Sequence, residues 1–226
     1  MKTTRPSLQR TLALPSTYDS FFSFPSNKSG YSGVGTYTRA LTARPFKAEE
    51  GLTGSISLKH TNQEERISAV YPRAYDLQSE LFPDEEGNTP SDLGVLDTEG
   101  RALTLDFGLF VLINTYCPNE TSDARLPYKM NYHLLLQARI EQLVKEGREV
   151  VVAGDLNVCA GFLDHCDGHL ESVKQGFWEH PARKWAKGLF GEEGGMVDVV
   201  RMFWPERQSM FVIYLSSILY TVSTLT

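Results

Sequence analysis

The chain has 226 residues, 41% of them hydrophobic and 22% charged, which is the composition of a soluble globular protein able to bury a real core. A net charge of −6 excludes a protein that coats nucleic acid through bulk positive charge. The charge is uneven, because residues 1–47 carry seven Lys or Arg against one acid, Asp19, so the remainder holds −12. A basic N-terminal region on an acidic body suits contact with a polyanion along one face, or plain solvation.

The elements follow in chain order. "YDSFFSF" (18–24) is aromatic and β-prone, and "SNKSGYSGVGTYTR" (26–39) offers turn residues leading into a strand. "SISLKH" (55–60) and "RISAVY" (66–71) read as a hairpin around the polar "TNQE". Residues 83–99 are acidic and turn-rich, which predicts a surface loop. "RALTLDFGLFVLINTYCP" (101–118) predicts two strands, the second a continuous apolar run of the kind buried inside a sheet. Over 126–146, Tyr132, Leu136, Ile140 and Leu143/Val144 recur at helical spacing, and Gly147 ends the helix before a strand at 149–153. "HPARKWAKGLF" (180–190) starts a second helix with Pro181 near its first turn, and "GMVDVVRMFWP" (195–205) fits a short last one. A helix joined to a strand by a tight turn is the α/β pattern, and no linker divides the chain. From Gln208 onward there is no charge, but this apolar tail is short and hydroxyl-rich for a membrane span.

Three cysteines, Cys117, Cys159 and Cys166, form no C-x-x-C pair, which points to a reducing compartment. Cys159, His165, Cys166 and His169 fit no familiar zinc spacing, and adjacent His165 and Cys166 side chains diverge on most backbones, so they read as packing residues.

Chemistry concentrates at two strand ends. "LINTYCPNE" presents Asn114, Tyr116 and Asn119, and "EVVVAGDLNV" (149–158) presents Asp155 and Asn157 after a glycine that permits a tight turn. Residues two apart on a strand share a face, so each pair can converge. A carboxylate can take a proton from water or hold a divalent ion, and a carboxamide can orient it or donate to charge developing on a phosphoryl oxygen. A tyrosine can hydrogen-bond the phosphate. The set suits hydrolysis of a phosphodiester. The bland alternative is a strand-end Asp and Asn that cap a turn.

"GDLN" after an apolar strand, with "N-x-Y-x-P-N" upstream, resembles the exonuclease III branch of the endonuclease/exonuclease/phosphatase superfamily. "SGYSGVGTYTR", "EEGLTGSI", "LINTYCPN", "RLPYKMNYH", "GDLNVCAGFLDHCD", "HPARKW" and "MVDVVRMFWPER" occur in order, and together they resemble the DNA-(apurinic or apyrimidinic site) endonuclease 2 family from about Met1 to Phe211. The resemblance implies a four-layered α/β sandwich and a magnesium-dependent nuclease, with manganese as the substitute ion and no small-molecule cofactor. It implies DNA with abasic sites or blocked 3′ ends as substrate, a nuclear location, a monomer and no membrane. By position, Tyr116 would touch the scissile phosphate, Asp155 would be the acid/base at the metal, and Asn157 would stabilise the transition state beside it. Asn119 would belong to the substrate pocket. Tyr31 and Arg101 would lie along the DNA-contacting surface, Arg101 on a phosphate; otherwise they are a packed loop aromatic and a solvated charge. Asp198 reads as structural, and Arg183 and Lys184 as a solvated helix face.

The sequence also departs from that family. The expected N-terminal strands, one ending in a metal-binding glutamate, have no counterpart before "MKTTRPSL", and the resemblance stops at Phe211, ahead of the expected aspartate and histidine. The sequence therefore reads as a partial nuclease domain over 1–211 and a non-homologous apolar tail over 212–226, of reduced or no activity. A phosphatase of the same superfamily and a non-catalytic DNA-binding fragment are the other two readings.

Overall fold

The computed structural model describes residues 4–26, 32–56, 65–191 and 194–208, together with the backbone of 217–221. These residues form a two-stranded ribbon and a six-stranded mixed sheet. The ribbon pairs β1 (Tyr18–Ser23) with β2 (Val34–Arg39), antiparallel from Tyr18↔Arg39 to Ser23↔Val34. A single turn, α1 (Arg10–Ala13), is tied to it where the Tyr37 hydroxyl donates to the Leu12 carbonyl at 2.8 Å.

The large sheet contains β3 (Lys47–Glu50), β4 (Ala102–Asp106), β5 (Val111–Tyr116), β6 (Val150–Asp155), β7 (Met196–Asp198) and β8 (Ser217–Thr221), in the spatial order β3-β4-β5-β6-β8-β7. β5 and β6 are parallel, in register from Val111↔Val150 to Tyr116↔Asp155, and the other neighbours are antiparallel. A parallel pair needs a long crossover, and α3 (Leu126–Lys145) supplies it. This register sets Tyr116 beside Asp155.

Side-chain alternation on β5 builds the layers. Val111, Ile113 and Thr115 are buried, and the Thr115 hydroxyl meets the Tyr132 hydroxyl of α3 at 2.9 Å. Asn114, on the opposite face, donates from Nδ2 to Thr36 Oγ1 at 2.8 Å and to the Gly35 carbonyl at 3.3 Å, which fastens the ribbon there. The order is therefore helix, large sheet, ribbon and the α1 turn, the layered α/β arrangement expected. On α3, Leu135, Leu136 and Leu143 are fully buried, each stabilising the fold by about 1.5–3 kcal/mol. Pro127 opens this helix and Gly147, at φ +75°, closes it.

Three segments differ from expectation. The stretch 83–99, expected as a surface loop, turns inward at its end, where Leu93 and Leu96 are buried around the short helix α2 (Gly94–Asp97). Residues 57–64 lie outside the described residues, and 66–71 form no strand. Side chains hold 66–71 instead. Arg139, fully buried on α3, donates to Glu49 Oε2 at 3.2 Å and to Ser68 Oγ at 2.8 Å, with its guanidinium 4.3 Å above the Tyr71 ring. Glu49 Oε1 accepts from the Ile67 N–H at 2.9 Å and from the Tyr71 hydroxyl.

The stretch 195–205 divides into β7 and α6 (Val199–Phe203). Asp198 caps that helix by accepting from the Arg201 N–H at 2.9 Å, the structural role expected of it. Within the apolar tail 212–226, the backbone of 217–221 pairs with β6 on one side and β7 on the other. A strand inserted there satisfies the backbone groups β6 would otherwise expose. Among the described residues no helix is long and apolar enough to cross a membrane.

Candidate active site

The ends of β5 and β6 are joined through one backbone carbonyl. The Asn157 side chain donates from Nδ2 to the Cys117 carbonyl at 2.8 Å, and Arg101 Nη1 donates to the same oxygen at 3.4 Å and to the Tyr116 carbonyl at 2.9 Å. The Cys117 N–H in turn donates to the Asp155 carbonyl at 2.8 Å. Tyr116, Asp155 and Asn157 are thus brought together as the sequence predicts.

Local geometry explains why the turn reads G-D-x-N. Gly154 has φ +131°, and a Cβ there would lie 1.9 Å from the Thr115 carbonyl oxygen. Asn157 sits in the left-handed region at φ +50°, which Asn tolerates better than most residues. Its N–H donates to Asp155 Oδ1 at 2.9 Å. Between them Leu156 is buried in the core.

Asp155 is half-buried, and burial raises its carboxyl above the usual range against the lowering effects of the Asn157 N–H, Arg101 and Lys129. With Asp155 Oδ1 held by a backbone N–H and Asn157 Nδ2 held by a carbonyl, the remaining ends, Oδ2 and Oδ1, are both hard oxygen donors. A magnesium ion fits such donors by their chemistry.

Arg101 requires a correction. It is 3% exposed rather than on a DNA-contacting surface or solvated. Its Nε donates to Glu99 Oε2 at 2.7 Å, and its guanidinium lies 4.9 Å from the centre of the Tyr116 ring. A guanidinium buried this deeply is held by a carboxylate, and Arg125 shares that carboxylate at 2.5 Å. Arg101 braces Tyr116 from behind. Tyr31 lies outside the described residues. Asn119 is exposed, with Oδ1 accepting from the Glu120 N–H at 2.8 Å. Asn114 braces the ribbon.

The sequence reading missed a second group beside the site. Lys129, buried on α3, pairs with Glu120 at 3.6 Å, and burial lowers its ammonium below the usual range. His180 accepts from the Ala182 N–H through Nδ1 at 3.2 Å, so Nε2 carries the proton and donates to Glu120 at 3.0 Å. His133 reaches the same tautomer by another route, because its Nε2 lies 3.1 Å from the Leu156 carbonyl, which can only accept. Its ring stacks on Trp185 at 4.2 Å, on α5 (Pro181–Leu189), which follows the short helix α4 (Glu171–Gly176). The i, i+4 spacing of Lys129 and His133 on one face of α3 was the available signal.

His165 and Cys166 do not diverge, because with Asp167 their donor atoms lie within 4.8 Å of one another. Those atoms already serve each other, since the Asp167 N–H donates to His165 Nδ1 at 3.1 Å and Cys166 Sγ to Asp167 at 3.4 Å. Cys159 donates to the Asp164 carbonyl at 3.5 Å, and all three cysteines are free thiols. Arg183 packs over the Phe177 ring at 4.2 Å rather than standing in solvent, whereas Lys184 is exposed as expected.

No protein-family profile matches the sequence. Among solved structures, the Xenopus laevis APE2 catalytic domain superposes with a TM-score of 0.73 at 28% identity, covering 97% of this chain and 71% of that one. A 3′-5′ exonuclease from Neisseria meningitidis superposes with a TM-score of 0.58 at 15% identity, a likeness of fold alone. The architecture is the α/β fold of the endonuclease/exonuclease/phosphatase type. DNA-(apurinic or apyrimidinic site) endonuclease 2 of Schizosaccharomyces pombe is 32% identical over 95% of this chain and 40% of its own length. The Mus musculus protein of that name is 35% identical over 94% of this chain and 41% of its own length. The chain belongs to the DNA-(apurinic or apyrimidinic site) endonuclease 2 family. It spans about two-fifths of the length of these curated relatives.

Proposed function

We propose that this chain carries the phosphodiester-cleaving machinery of a DNA-repair nuclease acting on abasic sites and on blocked 3′ ends, as an abasic-site endonuclease with 3′-phosphodiesterase or 3′–5′ exonuclease activity. The observation that carries the reading is the convergence of Tyr116, Asp155 and Asn157 through the Cys117 carbonyl. Magnesium, or manganese in its place, would be held by Asp155 and Asn157 and would supply Lewis-acid stabilisation of the phosphoryl oxygens.

The side chains account for the remaining steps. Asp155 is the proton acceptor for the attacking water, and its half-buried setting brings its affinity for a proton closer to neutral pH than that of a solvated aspartate. Asn157 is held in one orientation by two hydrogen bonds, so its carboxamide needs no reorganisation when charge develops. Tyr116 presents its hydroxyl to the phosphate while the Arg101 guanidinium fixes its ring from below. Asn119, exposed at the rim, is a substrate contact. The reading further places the protein in the nucleus and as a monomer on damaged DNA.

The test is a duplex bearing one abasic site, incubated with the purified chain in magnesium and then in EDTA, with Asp155→Asn as control. Magnesium-dependent incision beside the lesion, lost in the variant, is the expected result. Binding of the abasic duplex by folded protein without incision would overturn the catalytic reading in favour of a DNA-binding fragment. Hydrolysis of phosphomonoesters alone would favour a phosphatase of the same superfamily.

A further inference from the structure

We infer that His133 is a positioning residue for the Asp155–Asn157 turn, acting by donating a hydrogen bond from its ring to the Leu156 carbonyl, with Trp185 as the plate that fixes the ring. The inference rests on the functional reading above for its catalytic consequence but not for its geometry.

The turn has to hold two functional side chains in fixed directions while its backbone adopts an unfavourable conformation. Asn157 sits at φ +50°, outside the regions non-glycine residues prefer. Two of its restraints are its own: the N–H to Asp155 Oδ1 at 2.9 Å, and Nδ2 to the Cys117 carbonyl at 2.8 Å. The first holds the N–H edge of the peptide unit between Leu156 and Asn157, but only through a side chain of the turn itself, and the other edge of that unit is the Leu156 carbonyl. His133 fixes that edge from outside the turn, reaching the oxygen from α3 at 3.1 Å. A carbonyl only accepts, so the imidazole must carry its proton on Nε2.

The surroundings keep it in that form. The ring is completely buried and stacked 4.2 Å from Trp185 with an interplanar angle of 17°, so it can neither swing away nor turn over freely. Burial holds its protonation down to about 3, with Lys129 and His180 adding to the effect, so the ring stays a neutral single donor at every pH at which a nuclease works. Its Nδ1 is buried with no hydrogen-bond partner among the described residues. An aliphatic side chain would fill the space without that uncompensated nitrogen. The imidazole's contribution is the Nε2–H.

The same contacts give "KMNYH" and "HPARKW" a common purpose. His133 from the first stacks on Trp185 from the second, and both bear on the turn between β6 and the following loop. The groups that hold a metal's ligands in orientation typically contribute about 10–100-fold to affinity or activity when removed.

The experiment compares the full chain with His133→Phe, His133→Gln and Leu143→Ala. Phenylalanine keeps a flat ring for Trp185 but has no donor. Glutamine places an amide nitrogen the same number of bonds from Cα as Nε2, restoring a donor without the ring. Leu143→Ala is a core lesion on the same helix that does not touch the turn. Three readouts are taken: thermal midpoint, manganese affinity by electron paramagnetic resonance, and backbone and side-chain amide shifts of Asn157 in metal-free protein. His133→Phe is expected to shift the Asn157 signals and weaken manganese binding roughly 10–100-fold, with kcat falling at unchanged KM on the abasic duplex. His133→Gln is expected to restore the Asn157 signals and bring affinity back to within about 3-fold, while Leu143→Ala lowers the midpoint and moves neither. Asn157 signals unmoved in folded His133→Phe, or moved equally by Leu143→Ala, would overturn the inference. So would a folded His133→Gln that rescues nothing. If the parent chain neither binds manganese nor cuts DNA, the functional reading fails alone, and the metal-free Asn157 signals still decide the role of His133.

Discussion

Arg101→Met should cost about 3–5 kcal/mol in urea unfolding, because it leaves the buried Glu99 carboxylate short of a partner and frees the Tyr116 carbonyl. Arg101→Lys should recover little of that, since one ammonium cannot serve Glu99 and two carbonyls through a planar fork. If both variants stay within 1 kcal/mol of the parent, roughly the scale of a surface pair, the buried bracing described here is wrong. At Asp155 the prediction concerns pH. Burial raises the carboxyl, so the ionised form that would hold the proposed cation is lost at a higher pH than for a solvated aspartate. Magnesium affinity should therefore fall as pH drops from neutral toward and through the raised Asp155 range, and titrating the metal by calorimetry at several pH values checks it. An affinity that stays flat until the ordinary aspartate range would refute the assignment. Asp155 and Asn157 were legible in the sequence, because a carboxylate and a carboxamide after a buried strand need a reason. The inward position of Arg101 was not, because nothing local distinguishes an arginine on the surface from one lying under a tyrosine ring.

Among the elements, the β6 end is the least forgiving. Gly154→Ala puts a Cβ against the Thr115 carbonyl and forces φ +131° on a residue with a side chain, so strain and separation of β5 from β6 should together exceed about 3 kcal/mol. Soluble expression and far-ultraviolet circular dichroism would show it; a variant as stable as the parent would mean the strand ends are looser than described. The segment 66–71 behaves differently. It was expected as half of a hairpin, and its apolar–polar alternation supports that reading in isolation. Glu49 and Arg139 override it by offering the Ile67 N–H, Ser68 and Tyr71 partners that a strand would otherwise have to provide. Arg139→Leu should release this segment, seen as faster amide exchange over 66–71 with α3 still protected. The helix itself was readable because its apolar period needs only nearby residues. That one arginine of the helix reaches back to β3 depends on where the chain folds.

For the whole molecule, acid should weaken the fold through His133. Its protonation is depressed to about 3 when folded and lies near 6.5 when unfolded, so the unfolded chain takes up a proton first as pH falls. The stability it contributes is complete above about pH 6.5 and declines by about 1.4 kcal/mol per pH unit until the folded ring protonates. Glu99 acts in the same direction: burial pushes it up, but hydrogen bonds from Arg125 and Arg101 more than offset this and hold it below the usual range. Its contribution is present above the unfolded glutamate range and is lost as pH falls through the lowered value. Asp97, raised by burial, opposes both. The His133 part is isolated by comparing urea midpoints of the parent and His133→Gln between pH 7 and 5, where the difference should shrink as pH falls.

By itself the sequence determined the α/β class, the strand–helix–strand crossover and the two strand ends that carry Tyr116, Asp155 and Asn157. Those features follow from apolar periodicity and from polar residues placed where a buried strand stops, and both are local properties of the chain. Tertiary structure decided which groups stand behind that triad: Arg101 beneath the tyrosine, His133 on the Leu156 carbonyl, and the backbone of 217–221 drawn into the sheet beside β6. Each of these depends on burial and on partners far away in sequence. A charged or polar side chain goes inside only when the folded chain brings it an acceptor or donor it would otherwise lose with water.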